Sequence, residues 1–256
     1  MSSDTILGPE TASESAPFDL NGVKFALGFP AHGAVPAETL ISFVKTVHTF
    51  GQHGIQLDLI YELYNSLPTN ARNSIADSFM RKSDADKLIW IDSDISWEAE
   101  DLLRLCCWST KYPFVGAMYS TKREGAQKFL GAHYPDPTTG GPIYNEYGMI
   151  RMLGLGFGFM IVDRSVFETM KATTPMYNDR THTDVYAFFQ EQIINHRDVG
   201  EDMFFCREWC KTHGGEIWVD PDINLGHVGT KVYSGSLREA LKVAFPIIDN
   251  CSDDQS

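Results

Sequence analysis

The sequence predicts an α/β fold built around a parallel sheet, and three observations carry the prediction. Leu88-Ile89-Trp90-Ile91 is an apolar run with two β-branched residues, and it reads as a strand buried on both faces. The chain opens on a strand, a tight turn and a helix, the unit with which such sheets begin. Its 256 residues, 43% hydrophobic, suffice for one large α/β domain or two small ones with a substantial core.

The apolar strand runs into Asp92-Ser93-Asp94-Ile95. Alternation along a strand puts Asp92 and Asp94 on one side at its carboxyl end, where open α/β sheets bind ligands. Two like charges held that close repel and raise one pKa unless a cation sits between them. A hard divalent ion with oxygen ligands answers this, and it carries a phosphate with it. The stretch therefore predicts a site for a metal ion and a diphosphate.

In chain order, residues 1–17 are rich in Ser, Thr, Glu and Pro and are expected to form a disordered tail. Val23–Phe29 predicts the first strand and Pro30-Ala31-His32-Gly33 the turn. From Pro36 to about Thr49, Leu40, Phe43, Val44 and Val47 recur at helical spacing and are expected to face the core. Gln56–Tyr61 predicts a second strand, and the following helix carries Ile75, Ala76, Phe79 and Met80. Arg72 and Asn73 stand where that helix is expected to begin. A helix amino terminus beside an Arg suits a phosphate or a base edge; an exposed Arg and a helix cap account for the pair equally.

Beyond the Asp-Ser-Asp strand, Ser96–Asp101 is an acidic helix start, and the helix extends to about Trp108. Tyr112–Tyr119 predicts a strand whose polar exit, Ser120-Thr121-Lys122-Arg123-Glu124, is one of the few basic spots. It reads as a solvated turn or as a contact to acceptor or phosphate. From Gly125 to Tyr147 a hairpin or excursion over the sheet is expected. The glycines of Gly154-Leu155-Gly156-Phe157-Gly158 precede a strand, which excludes a dinucleotide fingerprint. They let a ligand approach the backbone or mark a bulge. A helix follows from Asp163 to near Thr173. The irregular segment from Thr174 to Val199 is expected to be an acceptor-binding or lid loop. Gly200-Glu201-Asp202 opens another helix, a strand over Glu216–Val219 follows, and Gly226-His227-Val228-Gly229 presents an isolated His.

Asp and Glu number 34 against 21 Lys and Arg, a net charge of -13 that disfavours nonspecific binding to a phosphate backbone or an anionic membrane. No apolar run approaches the length of a membrane span, and the amino terminus lacks a signal-peptide pattern, so an intracellular, cytoplasmic protein is expected. The five cysteines, Cys106, Cys107, Cys206, Cys210 and Cys251, form no disulfide framework and read as reduced, buried thiols. Cys206 and Cys210 share a helix face but do not by themselves make a zinc site.

Taken together in order, Pro30-Ala31-His32-Gly33, Ala71-Arg72-Asn73, Asp92-Ser93-Asp94, Gly154 to Met160 before Arg164-Ser165-Val166-Phe167, Glu201 to Cys206, and Gly226 to Gly229 resemble a GT-A-fold glycosyltransferase. The likeness is to family-2-like enzymes and to compact domains of bacteria and large DNA viruses or phages, and it covers Val23 to about Thr230. It implies one Rossmann-like, mixed and mainly parallel sheet flanked by helices, with the domain spanning 18–247 and an acidic tail at 248–256. It implies transfer of a hexosyl or pentosyl group from a nucleoside-diphosphate sugar to an acceptor hydroxyl, with Mn2+ or Mg2+ bound at the Asp-x-Asp motif.

By position, Pro30, His32, Arg72, Asp92, Ser93 and Asp94 bind the nucleotide sugar. Asp94 is the direct metal ligand, Asp92 touches the ribose or a metal-bound water, and His227 completes the metal shell. Asp202, with Glu201 second, takes the proton of the acceptor, which implies inversion. Trp97, Gly156 and Phe157 are expected near the acceptor. That acceptor is a glycan, a lipid-linked sugar, a protein or, in a viral setting and host cytoplasm, a modified nucleic-acid base. The competing readings are a noncatalytic carbohydrate- or nucleotide-binding module and a sugar nucleotidyltransferase. The latter normally has a basic, glycine-rich loop after the first strand, and Gly28 to Gly33 contains no Lys or Arg.

Overall fold

A computed structural model describes residues 18–123, 128–179 and 184–244. The two expected tails and Cys251 lie outside the described residues. The chain forms an eight-stranded sheet in the order β2-β1-β3-β8-β5-β13-β7-β6. Its first half comprises β1 (Phe25–Ala31), α1 (Ala37–Gln52), β2 (Leu57–Leu63), α2 (Pro68–Lys82), β3 (Lys87–Ile91), β4 (Ile95–Ser96), α3 (Ala99–Ser109) and β5 (Phe114–Gly116). Then come β6 (Gly131–His133), β7 (Ile150–Leu155), β8 (Phe159–Asp163) and α4 (Arg164–Met170). The strands β1, β2 and β3 pair in parallel, as do β5 and β13 (Ile217–Val219), whereas β8 and β7 run against their neighbours. The sheet is thus mixed, with most strands pointing one way.

Two apolar layers sandwich it. Leu27, Phe50, Ile89, Ile91, Leu102, Leu105 and Trp108 form the layer beneath α1 and α3. Ala26, Ile75, Phe79, Leu88, Trp90, Phe167 and Phe205 form the other, with α2, α4 and α5 (Glu201–Arg207). Every residue of β3 is buried, as a central strand covered on both faces requires.

The structure corrects four expectations. The Asp-Ser-Asp stretch is not strand: β3 ends at Ile91, and Asp92 to Ile95 form a turn in which the Ile95 amide donates to the Asp92 carbonyl (3.1 Å). Of the apolar stripe of α1, Leu40, Val44 and Val47 point outward and Phe43 packs partly against the core, while Thr39, Ser42, Thr46 and Phe50 are buried. The inward hydroxyls accept hydrogen bonds from Trp97, its amide donating to Ser42 Oγ (3.0 Å) and its indole Nε1 to Thr46 Oγ1 (2.8 Å). A buried indole N–H needs such a partner, which is why this face turns inward.

The helix α2 begins at Pro68, a residue suited to the first helical position, so Arg72 and Asn73 lie past its first turn rather than at its end. Finally, the segment 174–199 is not one irregular lid. It holds two small hairpins, β9 (Met176–Asn178) with β10 (Asp184–Tyr186), and β11 (Gln192–Ile194) with β12 (Arg197–Val199). Between them Phe188 and Phe189 are buried, and Asn73 clamps the Phe189 backbone through two 2.9 Å hydrogen bonds.

Of the cysteines, Cys106, Cys107 and Cys206 are buried, Cys210 is half-buried, and all four are free thiols. No helix among the described residues is long and apolar enough to cross a membrane.

Candidate functional site

At the carboxyl ends of β1 and β3 a cleft of about 250 Å³ is lined by Pro30, Ala31, His32, Asn65, Pro68, Ala71, Arg72, Asp92, Ser93, Asp94 and Glu201. The topology dictates its place: β1 and β3 are parallel neighbours, so their exits adjoin, and α2 crosses beside them. The six residues assigned by sequence to the nucleotide sugar line this one cleft.

Arg72 holds its wall together. Its side chain is only 6% exposed and contacts Asp92 at 3.2 Å, Asp202 at 3.1 Å and Glu201 at 3.5 Å. The guanidinium also lies over the rings of Trp90 (5.9 Å) and Phe157 (5.6 Å). Burial works against its charge, but the carboxylates of Asp202, Asp92 and Glu201 outweigh burial and raise its pKa. One guanidinium nitrogen, Nη1, is buried with no hydrogen-bond partner among the described residues.

Asp202 sits at the amino end of α5. Its Oδ2 accepts the Phe157 amide (3.1 Å), and its Oδ1 lies 3.1 Å from Arg72 Nε in the ion pair. Burial is the largest influence on its carboxyl. With Glu201 and Asp92 adding like charge, it outweighs Arg72 and pushes the pKa up to about 7.

Asp94 lies on the other side of the turn. The strand β4 pairs with β14 (Gly226–Val228), which in turn pairs with β15 (Val232–Ser234), and the Val228 amide donates to the Asp94 carbonyl (2.7 Å). This small sheet brings His227 Nε2 to 3.5 Å from Asp94 Oδ2, and Lys122 forms an ion pair with the same oxygen. Burial alone raises the Asp94 carboxyl, but hydrogen bonds from His227 and Lys122 overcome it and bring the pKa down to about 2. His227 Nδ1 lies 2.9 Å from the Ser120 carbonyl. A carbonyl can only accept, so Nδ1 donates to it, which turns Nε2 toward Asp94.

The residues fit a divalent ion in part. Two ligands each about 2.1 Å from one small ion stand roughly 3.0–3.5 Å apart, and Asp94 with His227 has that spacing. Asp92 instead directs its carboxylate to Arg72, and no cluster of three or more His, Cys, Asp or Glu side chains able to hold a metal occurs among the described residues. An ion bound here takes its remaining ligands from phosphate and water.

Sequence reasoning missed Tyr119. Its ring packs edge-on to His227 (4.9 Å between centroids), and burial with the nearby charges of Asp92 and Asp202 raises its phenol well above the ordinary range. It also explains two of the glycines. A Cβ on Gly156 would stand 2.5 Å from the Tyr119 hydroxyl, and one on Gly158 2.5 Å from its Cε1. The close approach is made by Tyr119, a residue far away in sequence. The adjoining Lys122 was legible as a basic residue in a polar turn, either solvated or in contact with acceptor or phosphate.

Two side chains expected near the acceptor are buried, although the Phe157 amide itself donates to Asp202. Trp97 is buried beneath α1, and Phe157 is buried among Trp90, Phe114, Phe189 and Phe205, so both serve the core. Gly156 remains beside Tyr119 and Asp202.

No protein-family profile matches the chain, and no curated protein sequence does. Solved structures do. GalNAc-T7 in complex with UDP, GalNAc and Mn2+ superposes with a TM-score of 0.52 at 10% identity, covering 82% of this chain and 45% of that one. A197 from STIV aligns with a TM-score of 0.49 at 17% identity, over 81% of this chain and 86% of that one. The chain therefore spans less than half the length of the GalNAc-T7 chain, and the likeness is one of fold. This chain has a GT-A-like glycosyltransferase fold.

Proposed function

We propose that the chain is a metal-dependent glycosyltransferase that moves a hexosyl or pentosyl group from a nucleoside-diphosphate sugar to an acceptor hydroxyl with inversion. The observation that carries this reading is the convergence of Asp94 with His227 on one side of the cleft and of Asp202 with Arg72 on the other. GalNAc-T7, of the same fold, has been captured with a nucleotide, a sugar and Mn2+, which supports the ligand class.

In this reading Pro30, His32 and Asn65 receive the nucleoside. Arg72 Nη1 and Lys122 neutralise the diphosphate, with Asp92 and Ser93 at the floor. Asp94 and His227 would hold Mn2+ or Mg2+, which when bound stabilises the charge that develops on the departing diphosphate. Asp202 accepts the proton of the acceptor hydroxyl, and a pKa near neutrality suits that task. Burial keeps that pKa high, and the charge of Glu201 adds to it. A base on one side and the leaving group on the other give displacement with inversion.

Thermal shift and sugar transfer, measured on a panel of nucleoside-diphosphate sugars with Mn2+, test the reading. Asp94→Ala is expected to abolish both metal-dependent stabilisation by the nucleotide and transfer. If both persist unchanged, the metal assignment is wrong. A noncatalytic module would bind nucleotide and metal yet neither transfer nor hydrolyse the sugar.

A further inference from the structure

Most of the exposed large apolar side chains among the described residues fall in one stretch, Val35 to Leu67. The outward stripe of α1 presents Leu40, Ile41, Val44 and Val47, and β2 adds Leu59 and Tyr61, each at least half exposed. They share one side of the molecule. Odd-numbered residues of β2 point to the α1 layer, as Leu57 shows by joining its core, and Val47 and Leu59 together line an apolar groove of about 410 Å³ between helix and strand. At the same time β2 is an edge strand, paired only with β1 among the described residues. An amphipathic helix that turns its hydroxyls inward and its aliphatic side chains outward has an unburied face, and an apolar patch of this kind marks an interaction surface.

The geometry points to a second copy of this chain as the occupant. Ridge and groove lie side by side and are both apolar, so a two-fold axis lets the α1 ridge of each copy enter the groove of the other, as an isologous interface demands. The area is also suitable. Half-exposed Leu, Ile, Val and Tyr side chains from Val35 to Leu67 together approach the ~800 Å² per partner of a standard interface. The composition of the amino-terminal tail does not suggest an apolar cover. Residues 1–17 hold only Met1, Ile6 and Leu7 as large apolar side chains. Residues 245–256 follow α6 (Leu237–Ala244), whose Leu237 and Leu241 join the layer on the opposite face of the sheet. A lipid surface fits poorly, because helices that lie on membranes are flanked by Lys and Arg. Lys45, the one basic residue of α1 other than His48, is ion-paired with Glu98.

Sedimentation equilibrium of the full chain tests the dimer, with Val44→Glu and Tyr61→Glu as interface variants on separate elements and Val243→Glu as a control at an exposed site on α6. Wild type and the control are expected at twice the 28.7 kDa chain mass. Each interface variant is expected to dissociate at least about 30-fold more readily while keeping the wild-type circular dichroism. If one variant fails to fold, the other carries the test. A monomeric wild type overturns the proposal, whether it stays in solution or sediments with phosphatidylcholine vesicles. So does a dimer that both folded interface variants retain.

Discussion

Arg72→Met removes the one cation that three carboxylates share. The wild-type guanidinium is 6% exposed, and Asp92, Glu201 and Asp202 are 16–25% exposed. Deleting one partner of a buried ion pair costs about 3–5 kcal/mol, because the remaining charge is left uncompensated. Partial access of water to the carboxylates puts the expected loss at the lower end, about 3 kcal/mol at neutral pH. The sign of its pH dependence follows from Asp202. Its carboxyl is already raised to about 7 in the folded protein, so its proton is bound more tightly folded than unfolded. That contribution to stability is fully present below the unfolded value and is lost as the pH rises through about 7. Without Arg72 the pKa rises further and Asp202 takes up its proton, so in acid one of the three carboxylates no longer needs the missing counter-ion. Urea unfolding followed by tryptophan fluorescence is expected to show a large loss at neutral pH and a smaller one in acid. A loss under about 1 kcal/mol, or one that grows as pH falls, would refute the account of Arg72 as the buried counter-ion.

Two further predictions concern chemistry and packing. Asp202→Asn is expected to lower kcat by about 10²–10⁴ while leaving metal-dependent nucleotide binding intact, and the wild-type rate is expected to fall as the pH drops below about 7 and Asp202 becomes protonated; a flat pH profile would remove Asp202 from the role of base. Gly158→Ala drives a methyl group into the Tyr119 ring at 2.5 Å. A destabilisation of about 1–3 kcal/mol is expected in thermal or urea unfolding, and a neutral result would show that Tyr119 moves aside freely.

How much of the site was legible in sequence differs residue by residue. Arg72 stood at an expected helix start where a cap accounted for it equally, whereas Asp92, Ser93 and Asp94 could be singled out because charged and polar residues at the end of an apolar strand have few structural explanations. What they bind to each other could not. Asp92 faces Arg72 while Asp94 faces Lys122 and His227, because the chain turns after Ile91 instead of continuing the strand. Tyr119 gave no signal, since a tyrosine at a strand end is ordinary and its role depends on Gly156 and Gly158 lying under it. The reverse error occurred at Trp97 and Phe157, whose positions beside polar motifs suggested a ligand but whose side chains fill the core.

Local pattern alone determined the class of fold and the buried strand at Lys87–Ile91, because burial on both faces and helical spacing are written in neighbouring residues, whereas most polar residues of the cleft were named by resemblance. Only the tertiary structure decided which way each face points. In α1 the periodicity reveals an apolar stripe, but the same stripe can face a core or a partner. The choice rests on Trp97, 51 residues beyond Thr46, whose indole N–H requires a hydroxyl inside. Pairing of carboxylates with cations is likewise settled by contacts between distant segments, because electrostatic energy depends on distance in space and not along the chain.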